Sequence, residues 1–267
     1  MLTVSVVIPT LNSGKTLRDC LKSIAEQDYP YDNLEIIIAD GGSTDQTLDI
    51  VSEFSVASNL QPLTSNRSFS ASNLKPQTLN IQIVSNNLKT GEAGKAAGLK
   101  FAKNDIIAFI DSDNILPDKD WLKNMVEPFD DPEIVASEPI EYAYRANDGY
   151  ITRYCALLGM NDPLCLFLGN YDRYCTLTGR WTEMPHHEED KGNYLKIGLD
   201  KKHLPTIGAN GFIIRRSALL SVFASNLQPP TSNTPASNLQ PRTSNISYPE
   251  YLFDIDIISE LLNSTNN

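Results

Sequence analysis

Four runs of contiguous aliphatic residues punctuate the first 111 positions: "VSVVIP" (4–9), "LEIIIAD" (34–40), "NIQIVSN" (80–86) and "DIIAFID" (105–111). A strand built from such a run has little polar face to offer water, so it must be covered on both sides. The segments between the runs carry apolar residues at helical spacing. "GKTLRDCLKSIAEQ" (14–27) places Leu17, Cys20, Leu21 and Ile24 on one face. "STDQTLDIVSEF" (43–54) opens on a Ser/Thr/Asp cap signal and aligns Leu48, Val51 and Phe54. "GEAGKAAGLKFA" (91–102) reads as a short helix of small residues. Strands alternating with helices predict an α/β fold, a mostly parallel sheet with helices on both faces.

The chain has 267 residues, 41% of them hydrophobic, enough for a packed core in one large domain. Its net charge of −11 and the lack of any Lys/Arg-rich run argue against nucleic acid as a partner. Cys20, Cys155, Cys165 and Cys175 form no CxxC pair and no zinc spacing, so they read as reduced thiols. "MLTVSVVIPTLN" enters a strand at once without a basic segment, which argues against a secretion signal and for a cytoplasmic protein. No apolar run approaches the ~18 residues that a membrane span needs. The longest, "YCALLGMNDPLCLFLG" (154–169), is broken by Asn161-Asp162-Pro163 and reads as core or as a membrane-leaning surface patch.

Four copies of one decapeptide stand out: "ASNLQPLTSN" (57–66), "ASNLKPQTLN" (71–80), "ASNLQPPTSN" (224–233) and "ASNLQPRTSN" (236–245). A solenoid needs contiguous repeats that each bury a face, whereas these are Ser/Asn/Pro/Gln-rich and come as two distant pairs. They read as two low-complexity insertions, at about 56–80 and 224–247, with no catalytic role. Long surface insertions are tolerated because closure entropy grows only logarithmically with length. Asn66 and Asn245 each begin a glycosylation sequon, which is idle in a cytoplasmic protein.

In open α/β sheets, ligands bind beyond the carboxyl ends of the strands. Here those ends carry Pro9-Thr10-Leu11-Asn12, Asp40-Gly41-Gly42-Ser43 and Asp111-Ser112-Asp113. Three polar or acidic strand ends on one edge favour a site. Two carboxylates two positions apart repel unless a cation sits between them. Such hard oxygen ligands suit Mg²⁺ or Mn²⁺, which also bridge to substrate phosphates. A capped turn with solvated acids remains the bland alternative, since two aspartates at this spacing often occur by chance.

The order of "VSVVIPTLN", "IIIADGGSTDQT" and "GEAGKAAGLKFAKNDIIAFIDSDNILPDKDWL" closely resembles the family 2 glycosyltransferases of the GT-A fold. The resemblance is dense from Thr3 to about Trp121, then sparser through "TIGANGFIIRRSAL" (206–219) and "YLFDIDII" (251–258). It implies a single GT-A domain over 1–267, with a Rossmann-like, mostly parallel sheet. It also implies transfer of a sugar from a nucleotide-sugar donor, metal-dependent and inverting, in cell-envelope polysaccharide biosynthesis. Pro9, Thr10, Asn12 and Asp40 fall where the family holds the base and ribose. Gly41 stands where the family often has a second acid. Lys95 matches the basic residue that meets the diphosphate. Asp111 is implied near the ribose or the metal's waters, with Asp113 binding the metal directly. For Asn12 and Ser43 a plain helix-cap role is the alternative, and for Lys95 a solvated helix lysine.

Gly208, Asn210 and Gly211 fall in the family's glycine-containing loop that lines the donor-sugar and acceptor pocket. Asp254 sits at the position of the catalytic base, within a motif whose glutamate is here replaced by Phe253. Asp254 and Asp256 are equally readable as acids favoured in a first helical turn. A base serves a sugar hydroxyl, which keeps its proton at neutral pH; a polyprenyl phosphate is already anionic. The implied acceptor is a glycan or a polyprenyl-phosphate-linked intermediate at the inner face of the plasma membrane, reached by peripheral association. "HHEED" (186–190) is expected as an exposed polar loop after Trp181, with a late histidine ligand to the metal as the alternative. The family usually continues with further helices, so a truncated C-terminus is also expected.

Three other readings compete. A sugar nucleotidyltransferase would want a glycine-rich basic loop where "PTLNSGKT" has one glycine and one lysine. An NAD-binding module would need a GxGxxG after the first strand. A degraded transferase that only binds nucleotide stays open, because of the insertions and the short C-terminus.

Overall fold

The computed structural model describes residues 1–55, 79–159, 162–208, 211–225 and 248–264. The bulk of both repeat segments, the two sequons and Asn210 lie outside the described residues. The chain divides into two compact units, residues 1–138 with 209–213, and residues 139–208 with 214–267.

The first unit is built on the aliphatic runs. They become β1 (Val4–Thr10), β2 (Leu34–Asp40), β3 (Ile81–Ser85) and β4 (Ile106–Phe109), interleaved with α1 (Leu17–Ala25), α2 (Thr47–Ser55) and α3 (Gly91–Leu99). After β4 come α4 (Trp121–Val126) and the two-residue β5 (Ala136–Ser137); β8 (Ile213–Arg215) joins the same sheet. The strand order is β3-β2-β1-β4-β8-β5, and β1 pairs parallel with both β2 and β4. β1 and β2 are buried almost throughout, as their composition demands, whereas β3 closes one edge and exposes Ile83.

Helix α1 buries Leu17, Cys20, Leu21 and Ile24 in the main core, alongside Val6, Ile8, Ile36, Ile38 and Ala108. Helix α3 packs on β1 through its glycines. A Cβ on Gly94 would stand 2.7 Å from Pro9 Cβ, and one on Gly98 would overlap Val7 Cγ1. The small residues of "GEAGKAAG" are therefore the condition for this close helix–strand approach. Thr90 begins the helix, its hydroxyl accepting from the Ala93 amide at 3.2 Å.

The second unit contains α5 (Tyr150–Leu158), α6 (Pro163–Leu168), β6 (His186–Asp190), β7 (Leu195–Leu199), α7 (Arg216–Ser225) and α8 (Asp254–Ser264). The apolar segment is indeed split: Asp162 caps α6, accepting from Leu164 N at 2.9 Å, and Pro163 occupies the first turn. "HHEED" is not a loop. It is strand β6, paired antiparallel with β7 from His186↔Leu199 to Asp190↔Leu195. The turn between them closes through Lys191 N to Tyr194 O at 2.9 Å, with Gly192 at a positive φ of 89°. Four of the five β6 residues are exposed, so the strand forms by backbone pairing without an apolar face. Among the described residues no helix is long and apolar enough to cross a membrane.

Candidate active site

The parallel register places Thr10 of β1 directly beside Asp40 of β2, and Val7 beside Phe109, the last residue of β4. β1 has β2 on one side and β4 on the other, which makes this the point where strand order reverses. A crevice beyond the carboxyl ends of the strands is expected there. The structure has one: a cavity of about 490 Å³ lined by Pro9, Asn12, Ser13, Lys15, Thr16, Gly91, Asp111, Ser112 and Asp113.

The loop after β1 lines this cavity, and it is bonded to the loop after β2, which does not. Asn12 adopts a left-handed backbone with φ of 52°, a conformation that asparagine tolerates. Its side-chain oxygen accepts from Thr44 N at 2.9 Å, and its amide donates to Ser43 Oγ at 2.8 Å. Neither Asn12 nor Ser43 is a plain cap of the helix that follows it. Asp45 fills that role for α2, accepting from Thr47 N at 3.0 Å, and it also takes the Gly14 amide at 2.9 Å.

Asp40 is 8% exposed and engaged on both oxygens. Oδ1 accepts from Thr10 Oγ1 at 3.1 Å and Ser43 Oγ at 2.6 Å; Oδ2 accepts from the Gly42 and Ser43 amides, each at 2.9 Å. Burial works to raise its pKa, but the bonds from Ser43, Gly42 and Thr10 outweigh it and hold the carboxyl below the usual value. Four donors fill the ~four acceptor sites of a carboxylate. Thr10 and Asp40 thus stand behind the cavity wall as a bonded pair and are not among its lining residues.

The turn after β4 carries the paired aspartates to the cavity. Asn114 N bonds back to Asp111 O at 3.0 Å, and Ser112 Oγ lies 2.8 Å from Ser13 Oγ, joining this turn to the loop after β1. Beneath it, the Cys20 thiol donates to Asp111 O at 3.7 Å. Burial first, then the negative field of Asp113 and Asp111, push that thiol's pKa up to about 12. Polar residues on the inner side of α1 and just past its end hold the rest of the loop. Ser23 Oγ accepts from Leu116 N at 3.0 Å. Gln27 donates to Asp118 O at 2.7 Å and accepts from Leu122 N at 2.8 Å.

Of the residues singled out in the sequence, Pro9, Asn12, Asp111 and Asp113 come together at the cavity. Lys95 is not among the lining residues; its Nζ lies 5.7 Å from the Phe109 ring centroid, beside the end of β4. In the second unit, Gly208 adopts φ of 101° and lies against Asp254, so close that a Cβ on Gly208 would overlap Asp254 Cβ. Asp254 is the first residue of α8 and is 5% exposed. Ser13, Lys15, Ser23 and Gln27 were missed by the sequence reading. Ser23 and Gln27 had a signal, since in the sequence they follow Cys20 at helical spacing, Ser23 on the buried face of α1 and Gln27 just past its end. Among the described residues no group of three or more His, Cys, Asp or Glu side chains gathers as a metal site would. His186 is bound to Met184 O at 2.7 Å and packs edge-on to Trp181.

Comparison with known proteins gives this geometry a context. The profile of the family described as "Glycosyl transferase family 2" matches residues 5–223. The poly(ribitol-phosphate) beta-N-acetylglucosaminyltransferase TarS of Staphylococcus aureus is 32% identical over 128 residues, covering 46% of this chain and 18% of TarS. Glycosyltransferase AglE of Haloferax volcanii is 25% identical over 159 residues, covering 59% of this chain and 45% of AglE. The matches thus span less than half the length of either relative. Among solved structures, S. aureus TarS 1–349 superimposes with a TM-score of 0.50 at 19% identity, over 82% of this chain and 48% of that one. The α/β architecture with its mostly parallel sheet is the GT-A fold. With the family profile running over most of its length, the chain belongs to glycosyl transferase family 2.

Proposed function

We propose that this protein transfers a sugar from a nucleotide-sugar donor to a glycan or polyprenyl-phosphate-linked acceptor, with inversion and with Mg²⁺ or Mn²⁺ bound at the paired aspartates. The carrying observation is the cavity at the strand-order switch, which Asp111 and Asp113 line together with Asn12, Ser13 and Lys15. The donor set fits the ion. It consists of hard carboxylate oxygens beside hydroxyls, on a turn pinned by Ser13 and Cys20. A bound divalent ion would supply Lewis-acid stabilisation to the departing diphosphate.

The chain's own residues do the rest. Asn12 and Pro9 line the space for the nucleoside, and Thr10 and Asp40 fix the end of β1 against the loop after β2. Lys15, on the cavity wall, and Lys95, beside the β4 end, supply positive charge against the phosphates. Gly208 and Asn210 belong to the donor-sugar loop, and Asp254 is the base for an alcohol acceptor. Such acceptors would be met at the inner face of the plasma membrane.

Titration calorimetry with UDP and GDP, with and without Mn²⁺, tests this reading. Metal-dependent binding of one of them is expected, and Asp113→Ala should remove the metal dependence. No metal-dependent binding of any nucleoside diphosphate would eliminate the transferase reading. A binding-only homologue is the second reading, favoured by Phe253 in place of the family's glutamate and by the burial of Asp254. Binding without hydrolysis or transfer across a panel of sugar nucleotides would decide for it.

A further inference from the structure

The second unit holds a cavity of its own, about 560 Å³, within the ~300–1,000 Å³ range of ligand pockets. It shares no lining residue with the cavity at the paired aspartates. Tyr174, Arg180, Trp181, Glu183, His186 and Glu188 give it its chemistry. The backbone that presents them is closed on itself. Cys175 N bonds to Arg180 O at 2.8 Å and Gly179 N to Cys175 O at 2.9 Å, with Gly179 at a φ of 68°. Tyr174 N is held by Ile140 O at 2.7 Å, and Glu183 N by Gly169 O at 2.9 Å. Glu188 Oε2 accepts from Trp181 Nε1 at 3.0 Å and lies 3.2 Å from His186 Nε2. The imidazole meets the indole edge-on, 4.8 Å between centroids. Trp181 is thereby fixed and mostly buried, whereas Tyr174, Arg180 and Glu183 are exposed.

We propose that this cavity binds a sugar ring of a glycan. Charge narrows the ligand first. The lining carries both signs, Arg180 against Glu183 and Glu188. A phosphate group would meet two carboxylates, and an amine would meet a guanidinium. A neutral ligand that both donates and accepts hydrogen bonds meets neither penalty. Sugar hydroxyls do both: they donate to a carboxylate and accept from a guanidinium, and bonds to charged groups are the stronger kind. Planar Arg and Glu groups can each engage two neighbouring hydroxyls, which sets the orientation of a ring. The C–H face of a pyranose is apolar and needs an apolar surface, which the exposed ring of Tyr174 supplies beside the fixed edge of Trp181. Few polar groups placed around aromatic rings on a preformed backbone is the usual make-up of a small-molecule site. The inference rests on the proposed function only in that a glycan is the acceptor named there.

Titration of the 267-residue chain with cellobiose, lactose, β-1,4-mannobiose and N,N′-diacetylchitobiose tests it, with neither nucleotide nor metal present. Failure here is thus separable from failure of nucleotide binding. At least one of the four should bind with a Kd below about 1 mM in calorimetry on the wild type. The chain has two tryptophans, Trp121 in the core of the first unit and Trp181 in this cavity, so Trp121→Phe leaves Trp181 as the reporter. Its emission should change saturably with the same constant. Tyr174→Ala and Glu183→Gln alter exposed side chains, so the fold is kept, and each should weaken binding about tenfold. No heat and no emission change from any of the four sugars at about 10 mM overturns the proposal. So does binding that the Tyr174→Ala, Glu183→Gln double variant retains in full.

Discussion

Asp40 shows how a residue can matter to a candidate site without reaching it. Its two oxygens gather Thr10, Ser43 and Gly42, and so tie the end of β1, next to the loop that lines the cavity, to the loop after β2. Asp40→Asn keeps the shape, and its oxygen can still take the Gly42 and Ser43 amides, but the charge that strengthens all four bonds is gone. A loss of about 2 kcal/mol of stability is expected at pH 7, the scale of hydrogen bonds to a charged group. The pH dependence has a definite sign. The folded pKa lies below the ordinary 3.8, so the carboxylate's contribution is complete above that value. It fades as pH falls through the depressed folded pKa. Urea unfolding of wild type and Asp40→Asn should therefore show a gap at pH 7 that narrows below about pH 3.8. An unchanged midpoint at pH 7 would mean that the loops do not depend on Asp40.

Helix α3 shows the same logic for an element. Its glycines set how near it lies to β1, and Gly98 faces Val7, which is fully buried and has no room to yield. Gly98→Ala should destabilise the protein by about 1–3 kcal/mol through overpacking, despite alanine's better helix propensity. Val7→Ala in the same chain should recover part of that loss, and thermal unfolding of the four proteins in the cycle measures the coupling. Additive losses would show that α3 and β1 are not in this contact. Elements of this kind were legible in sequence because burial leaves a period: β1, β2 and α1 could be read from aliphatic runs and helical spacing. Strand β6 could not, since its exposed "HHEED" has no apolar alternation and its pairing lies in the backbone. The turn residues Asp190-Lys191-Gly192-Asn193 before "LKIGL" were the readable signal for it. The paired aspartates announced themselves through the cost of placing acids after a buried strand. The Ser13–Ser112 bond and the supports from Ser23 and Gln27 arise from tertiary contact and left only the weak mark of polar residues on a buried helical face.

For the molecule as a whole, the proposed tasks divide along the chain. Everything lining the cavity belongs to residues 1–138, whereas Asp254 and Gly208 lie in the other unit. Binding and turnover should then be separable by mutation. Asp254→Asn is close to isosteric and keeps contact with Gly208, so affinity for a nucleoside diphosphate with Mn²⁺ should stay within about twofold of wild type. Transfer to an alcohol acceptor should fall about 10²-fold or more, because proton removal from a hydroxyl is lost from the transition state. Parallel calorimetry and product analysis by mass spectrometry check both halves. A variant with weakened nucleotide binding would contradict the division of tasks. One that binds normally and transfers to sugar hydroxyls at the wild-type rate would remove Asp254 from the chemistry. Full transfer confined to a polyprenyl phosphate carries a different meaning, since that acceptor is anionic near neutrality and needs no base. Retained turnover on that acceptor alone would place this chain among transferases that load a lipid carrier.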